Sequence, residues 1–77
     1  MKAAEFLREI ESALEIGEGS LPEGAALADL DFWDSMAALT FITLADEKLG
    51  LNVPGDRIAG CGTVGDLLSL LGDRVTP

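Results

Sequence analysis

The amino-acid sequence predicts an all-α fold: a bundle of four helices, three longer and one short, with a long loop between the first and second helices. Apolar residues recur at three- and four-residue spacing in separate segments, which is the period of helices that bury one face. No segment of strand length with alternating apolar and polar residues remains once these helices are placed. The sequence therefore predicts helices packed against helices.

The first helix is predicted over residues 3–15, with Gly17 and Gly19 as its stop signals. Charged residues, including Glu11, lie between the apolar positions, so we expect an amphipathic helix with a solvated polar face. The apolar positions are Phe6, Leu7, Ile10, Ala13 and Leu14.

Residues 16–33 follow neither period and are predicted to form a loop. Loops of this length are uncommon in compact domains and usually serve a function or are disordered. Apolar residues within it favour a loop that is anchored to the core. They are Leu21, Leu27, Leu30 and Phe32.

The second helix is predicted to begin at Asp34-Ser35, two residue types that favour helix starts, and to stop at Gly50. Its expected core face consists of Ala38, Phe41, Ile42, Ala45 and Leu49. The neighbouring face, expected to be partly exposed, carries Met36, Leu39 and Thr43.

The C-terminal part is predicted to contain an extended connector over residues 51–54 and a turn of helix over residues 56–59 that buries Ile58. Thr63 is expected to cap the last helix after a break at residues 60–62. The buried stripe of that helix is predicted to be Val64, Leu67, Leu68 and Leu71.

Length and composition limit the function. Residues 1–77 suffice for one small domain, and we expect a monomer. With 14 acidic and 5 basic residues the formal charge is −9, which disfavours nucleic acids and anionic lipid surfaces as partners. The sequence offers neither a run of apolar residues long enough for a membrane span nor a signal peptide, so a cytoplasmic location is expected.

Residue types limit the chemistry as well. The chain has no histidine and a single cysteine, Cys61, which excludes Cys/His zinc sites, Ser-His-Asp triads and a disulfide framework. No function is assigned to Cys61. A calcium loop built from Asp29, Asp31 and Asp34 fails because the glycine and the glutamate that such a loop needs are absent at the required spacing. Any chemistry is therefore expected to come from a cofactor or a partner enzyme.

The tripeptide Asp34-Ser35-Met36, at the start of a helix that follows a long loop, resembles the Asp-Ser-Leu attachment motif of acyl carrier proteins. The resemblance runs without a gap from Asp34 to about Leu71. It includes the stop at Gly50, the connector and the threonine that opens the last helix.

This resemblance implies that Ser35 carries a 4′-phosphopantetheine arm, transferred from coenzyme A by a phosphopantetheinyl transferase. The thiol of the arm would hold an acyl or aminoacyl group as a thioester, so the protein would be a carrier and not an enzyme. Asp34 would help the transferase to hold Mg²⁺ during loading. The residues alone leave a second role open, in which Ser35 or Asp34 simply caps the helix.

The resemblance also implies partners: an acyl- or aminoacyl-loading ligase and a downstream transferase or synthase. The surface that they would contact comprises Met36, Leu39, Thr43, Asp46 and Glu47. Carriers of ordinary fatty acid synthesis typically have acidic residues where this chain has Ala37 and Thr40. Together with Trp33, which precedes the motif, this difference favours a specialised pathway such as polyketide, lipid-modifying, aminoacyl or surface-polymer assembly.

Two alternatives stay open at this point. The chain could be a small acidic helical adaptor that binds a partner through Met36 and Leu39 and never carries an arm. Trp33 could pack into the loop or flank the arm as a hydrophobic lid.

Overall fold

The computed structural model describes residues 1–76 and confirms the all-α prediction. The helices are α1 (Ala3–Leu14), α2 (Ser35–Leu49), α3 (Gly55–Ala59) and α4 (Val64–Ser69). Two 3-10 turns, Leu27–Asp29 and Gly72–Arg74, complete the regular structure of the described residues, in which β-pairing is confined to isolated bridges. No helix within residues 1–76 is both long enough and apolar enough to cross a membrane.

The aromatic rings of Phe6 on α1 and Phe41 on α2 meet edge-on at the centre of the core, with their centroids 5.6 Å apart and their planes at 88°. Both rings are fully buried, and this edge-to-face geometry is favourable for an aromatic pair. The prediction of the core face of α2 is confirmed for Phe41 and Ala45, whereas its flanking residues are only partly buried. The flanking residues are Ala38, Ile42 and Leu49.

Glu11 overturns the expectation of a fully solvated polar face on α1. Its side chain is buried, with 2% of the residue exposed. One carboxylate oxygen, Oε2, accepts hydrogen bonds from the backbone N–H groups of Gly19 (3.1 Å) and Leu21 (3.0 Å), and Oε1 accepts from Arg8 Nη1 (2.6 Å). Burial is tolerated because these donors replace water around the charge.

The long loop is anchored to the core, as predicted. Leu21 and Leu27 are buried, and Leu30 and Phe32 pack against the core. The loop also pairs with the start of α4 through three backbone hydrogen bonds that the sequence does not predict. They are Leu27 N–H to Gly62 O (2.9 Å), Val64 N–H to Ala25 O (3.1 Å) and Gly65 N–H to Glu23 O (2.8 Å).

The first helix ends slightly earlier than predicted, at Leu14, without using the glycines that follow. Glu15 takes the left-handed conformation (φ 58°) that commonly ends a helix, and its backbone N–H bonds to carbonyls of the last turn.

α3 forms as predicted and buries Ile58. α4 is shorter than predicted, with 6 residues, but the chain continues into the turn Gly72–Arg74 and still buries the whole predicted stripe.

A reciprocal capping box opens α4, which confirms Thr63 as the cap. Thr63 Oγ1 accepts from Asp66 N–H (3.1 Å), and the Asp66 carboxylate accepts from the N–H groups of Gly62 (2.9 Å) and Thr63 (3.1 Å). These backbone donors hold the pKa of Asp66 below its ordinary value of 3.8.

Because the pKa of Asp66 is lowered in the folded state, its contribution to stability is present above pH 3.8 and disappears as the pH falls through the lower folded value. We expect Asp66→Asn to lower the melting temperature at neutral pH, and the difference from wild type to narrow as the pH falls below 3.8. Thermal melts from pH 7 to pH 2.5 measure this difference, with Asp73→Asn as the control for the same change of charge. A difference that stays constant across the range would contradict the assigned role.

Candidate functional site

The start of α2 separates the roles of Asp34 and Ser35. Asp34 has an extended backbone, and its Oδ1 accepts a hydrogen bond from Ala37 N–H (3.0 Å), so Asp34 is the N-cap. Ser35 is the first residue of the helix and is exposed. The sequence left Asp34 and Ser35 open as the N-cap of α2. The structure shows that Asp34 is the cap, so the Ser35 hydroxyl takes no part in capping the helix start.

The backbone at this position favours an anion. Within residues 1–76, the N–H groups of Ser35 and Met36 donate to no protein acceptor. These groups lie at the positive end of a helix of 15 residues. A phosphate placed on the Ser35 hydroxyl would be close to both donors.

A groove of about 350 Å³ opens beside Ser35, between the start of α2, the 3-10 turn of the loop and α3. Buried Leu27 and Ile58 line it together with half-buried side chains from three parts of the chain. The half-buried members are Trp33, Ala38 and Cys61. The groove therefore offers both apolar and polar surface and begins at the exposed Ser35.

A second shallow groove of about 350 Å³ runs between α1 and α2 and includes most of the predicted partner surface. Met36 (68% exposed) and Leu39 (56% exposed) are among the few large apolar residues at the surface. Thr43 and Glu47 line the same groove and are exposed, whereas Asp46 is exposed but lies outside it. Four of the five predicted partner residues thus share one concave face.

Comparison with known proteins decides the family. The family model described as "Phosphopantetheine attachment site" matches residues 4–71, which include α1 and the loop as well as the part that carries the sequence motif. The chain belongs to the acyl carrier protein family. An acyl carrier protein of Tropheryma whipplei strain Twist is 35% identical over 57 residues, covering 73% of this chain and 68% of the relative. The acyl carrier protein of strain TW08/27 gives the same values, and no solved structure matches the chain.

As a member of the acyl carrier protein family, the protein is a carrier and not an enzyme, and its cofactor is covalently attached 4′-phosphopantetheine. This membership favours the carrier over the adaptor that lacks a prosthetic group. The residues at the start of α2 fit the cofactor: an exposed serine, backbone N–H groups that have no acceptor within residues 1–76, and a groove of mixed polar and apolar surface beside them.

Ala37 and Thr40, the two positions where carriers of fatty acid synthesis typically have acidic residues, are both at least partly buried in this acyl carrier protein. Ala37 is fully buried, so an acidic side chain there would lose its hydration unless the helix moved. Thr40 is half-buried, and its Oγ1 donates to the carbonyl oxygen of Met36 (3.0 Å). The predicted core face left Ala37 out, although Ala37 stands four residues before Phe41 and therefore lies on the same side of the helix.

Cys61 lines the groove beside Ser35, but its thiol is not activated. Its Sγ donates to the carbonyl oxygen of Arg57 (3.4 Å). Burial and the nearby Asp66 carboxylate raise the pKa of the thiol, so the reactive thiolate is disfavoured at neutral pH. The structure gives Cys61 a packing role.

Proposed function

We propose that Ser35 Oγ is the atom that carries the 4′-phosphopantetheine arm and that the protein delivers acyl or aminoacyl groups between enzymes of a specialised pathway. The observation that supports attachment at Ser35 is that this residue is exposed at the first position of α2. Asp34 caps the helix, so the Ser35 hydroxyl is not needed as the cap. When bound, the arm supplies a thiol that holds the cargo as a thioester. The chain itself provides the hydroxyl group, the helix start and the groove.

Asp34 supports loading in this proposal. Its Oδ1 is occupied by the Ala37 N–H, and within residues 1–76 its second oxygen has no hydrogen-bond partner. A carboxylate oxygen that is exposed and next to the attachment serine suits a Mg²⁺ ion held jointly with the transferase. Capping and metal support are compatible because they use different oxygens.

The test of the attachment site is the intact mass of the purified apo protein before and after incubation with coenzyme A, Mg²⁺ and a broad-specificity phosphopantetheinyl transferase. We expect one arm per chain, and fragmentation of the loaded protein should place the added mass on Ser35. Modification of another residue, or no modification where a control carrier is loaded, would overturn the proposal.

We propose that partners dock on the face formed by Met36, Leu39, Thr43, Asp46 and Glu47. This set combines exposed apolar side chains near Ser35 with two carboxylates further along α2. Apolar side chains at the centre of an interface contribute most of the binding energy, while exposed charges mainly steer the encounter. The partners are the phosphopantetheinyl transferase, a loading ligase and a downstream transferase or synthase.

Leu39→Glu tests this face. We expect it to raise the KM of the transferase for the carrier about tenfold, because a loss of roughly 1.4 kcal/mol is common for a central interface residue. The melting temperature should hardly change, since Leu39 is largely exposed. Steady-state kinetics measure the effect, and Ala4→Glu, which adds the same charge at an exposed position on α1, is the control. Equal KM values for the two variants would place the interface elsewhere.

The distribution of charge supports a specialised pathway. Residues 1–34 hold 9 acidic and 2 basic residues, a net charge of −7, whereas residues 35–77 hold 5 acidic and 3 basic residues, a net charge of −2. On α2 itself only Asp46 and Glu47 are acidic, and Lys48 follows them. Docking through α2 would therefore depend on apolar contact more than on charge.

We also propose that the carrier acts as a monomer in the cytoplasm.

A further inference from the structure

Trp33 is the only tryptophan of the chain, and it lies two residues before the proposed attachment serine. It is half-buried: it packs against the core and also lines the groove that opens at Ser35. Its backbone is held by a hydrogen bond from its N–H to the carbonyl oxygen of Leu30 (3.0 Å). The indole therefore has a fixed backbone and a partly exposed surface at the edge of the groove.

The groove has room for an occupant. Its volume is about 350 Å³, the same as that of the groove between α1 and α2, so its place beside Ser35, and not its size, points to the arm. Gly55 at the start of α3 also lines it, and a Cβ at that position would meet no atom within 4 Å. An arm attached at Ser35 begins at the edge of this groove, so it can enter without first crossing solvent.

We propose that Trp33 is a positioning residue for the arm: its indole packs against the pantetheine part and keeps it in the groove between α2 and α3 while no partner is bound. This inference rests on the proposed attachment at Ser35. The physical reason is that the arm covers apolar indole and groove surface that is otherwise exposed to water. Tethering at Ser35 makes the contact intramolecular, so even a weak contact is well populated.

The test uses the fluorescence of Trp33 in the apo and loaded proteins, with the loading of each sample confirmed by intact mass. Because no other tryptophan contributes, the signal reports this side chain alone. We expect attachment of the arm to lower the acrylamide quenching constant about twofold and to shift the emission to shorter wavelength, since the arm would shield the indole from water. Ser35→Ala, treated in the same way, should show neither change.

Gly55→Leu separates contact with the arm from a general change in the fold. Gly55 lines the groove and a Cβ there meets no atom, so a leucine is accommodated without repacking, and where its side chain covers the groove the loaded variant should be quenched more readily than loaded wild type. Gly24→Leu is the matched control, because Gly24 also has no atom within 4 Å of a built Cβ but does not line this groove. It should behave like wild type.

The two proposals fail in different ways. If mass shows complete loading but the quenching constant is the same with and without the arm, the role of Trp33 is overturned while Ser35 stands. If no arm is attached, both proposals are overturned.

Discussion

Replacing Ser35 by alanine will abolish attachment of the arm and leave the protein folded. The loss is complete because the phosphodiester needs a hydroxyl oxygen at this position, and alanine has none. The structural cost is small because Asp34, and not Ser35, caps α2. For an exposed residue outside the cap we expect a change of at most about 0.5 kcal/mol in the free energy of unfolding.

Two variants make this result specific. Ser12→Ala removes an exposed serine on α1 and should be loaded like wild type. Asp34→Ala keeps the hydroxyl but removes the cap, so it should lose about 0.5–2 kcal/mol of stability and load more slowly. Intact mass over time gives the loading rates and urea titrations give the stabilities. Loading of Ser35→Ala at the wild-type rate would refute the assignment of Ser35.

The elements predicted correctly from the sequence are those specified by residues close together in the chain. The start of α2 at Asp34-Ser35, the cap at Thr63 and the stop at Gly50 each involve groups within a few residues of one another. Helical spacing likewise predicted the buried stripe of α4 and the exposure of Met36. For the same reason the sequence places Asp34-Ser35-Met36 correctly at the start of a helix.

The features that the sequence did not predict depend on residues that are distant in the chain. Glu11 bonds to backbone groups 8 and 10 residues away, and the loop pairs with residues 62–65. A glutamate in a helix has no local pattern that marks it as buried, and isolated backbone pairing needs no particular side chain. The groove beside Ser35 is such a feature too, because it joins the loop to α2 and α3.

Replacing Glu11 by alanine will destabilise the protein more than any other change of a single charged side chain on α1. Removal of the carboxylate leaves the N–H groups of Gly19 and Leu21 without their acceptor and creates a cavity in a buried place. An unpaired buried donor costs about 1–3 kcal/mol, so we expect a total loss of roughly 2–4 kcal/mol. The ion pair with Arg8 adds little to this figure because the Arg8 side chain is 43% exposed.

Thermal unfolding measures the change, and for a domain of this size it corresponds to a fall of roughly 10–25 °C in the melting temperature. Glu9→Ala is the control, since Glu9 lies on the same helix outside the hydrogen-bonded cluster.

Glu11→Gln keeps the size of the side chain and guards against complete unfolding of the alanine variant. Its amide oxygen can still accept from the N–H groups of Gly19 and Leu21, because both donate to the same oxygen of Glu11, while the contact with Arg8 is lost. Amide hydrogen exchange at Leu21 should therefore accelerate in Glu11→Ala and stay close to wild type in Glu11→Gln, and unchanged exchange at Leu21 in Glu11→Ala would show that the carboxylate does not anchor the loop.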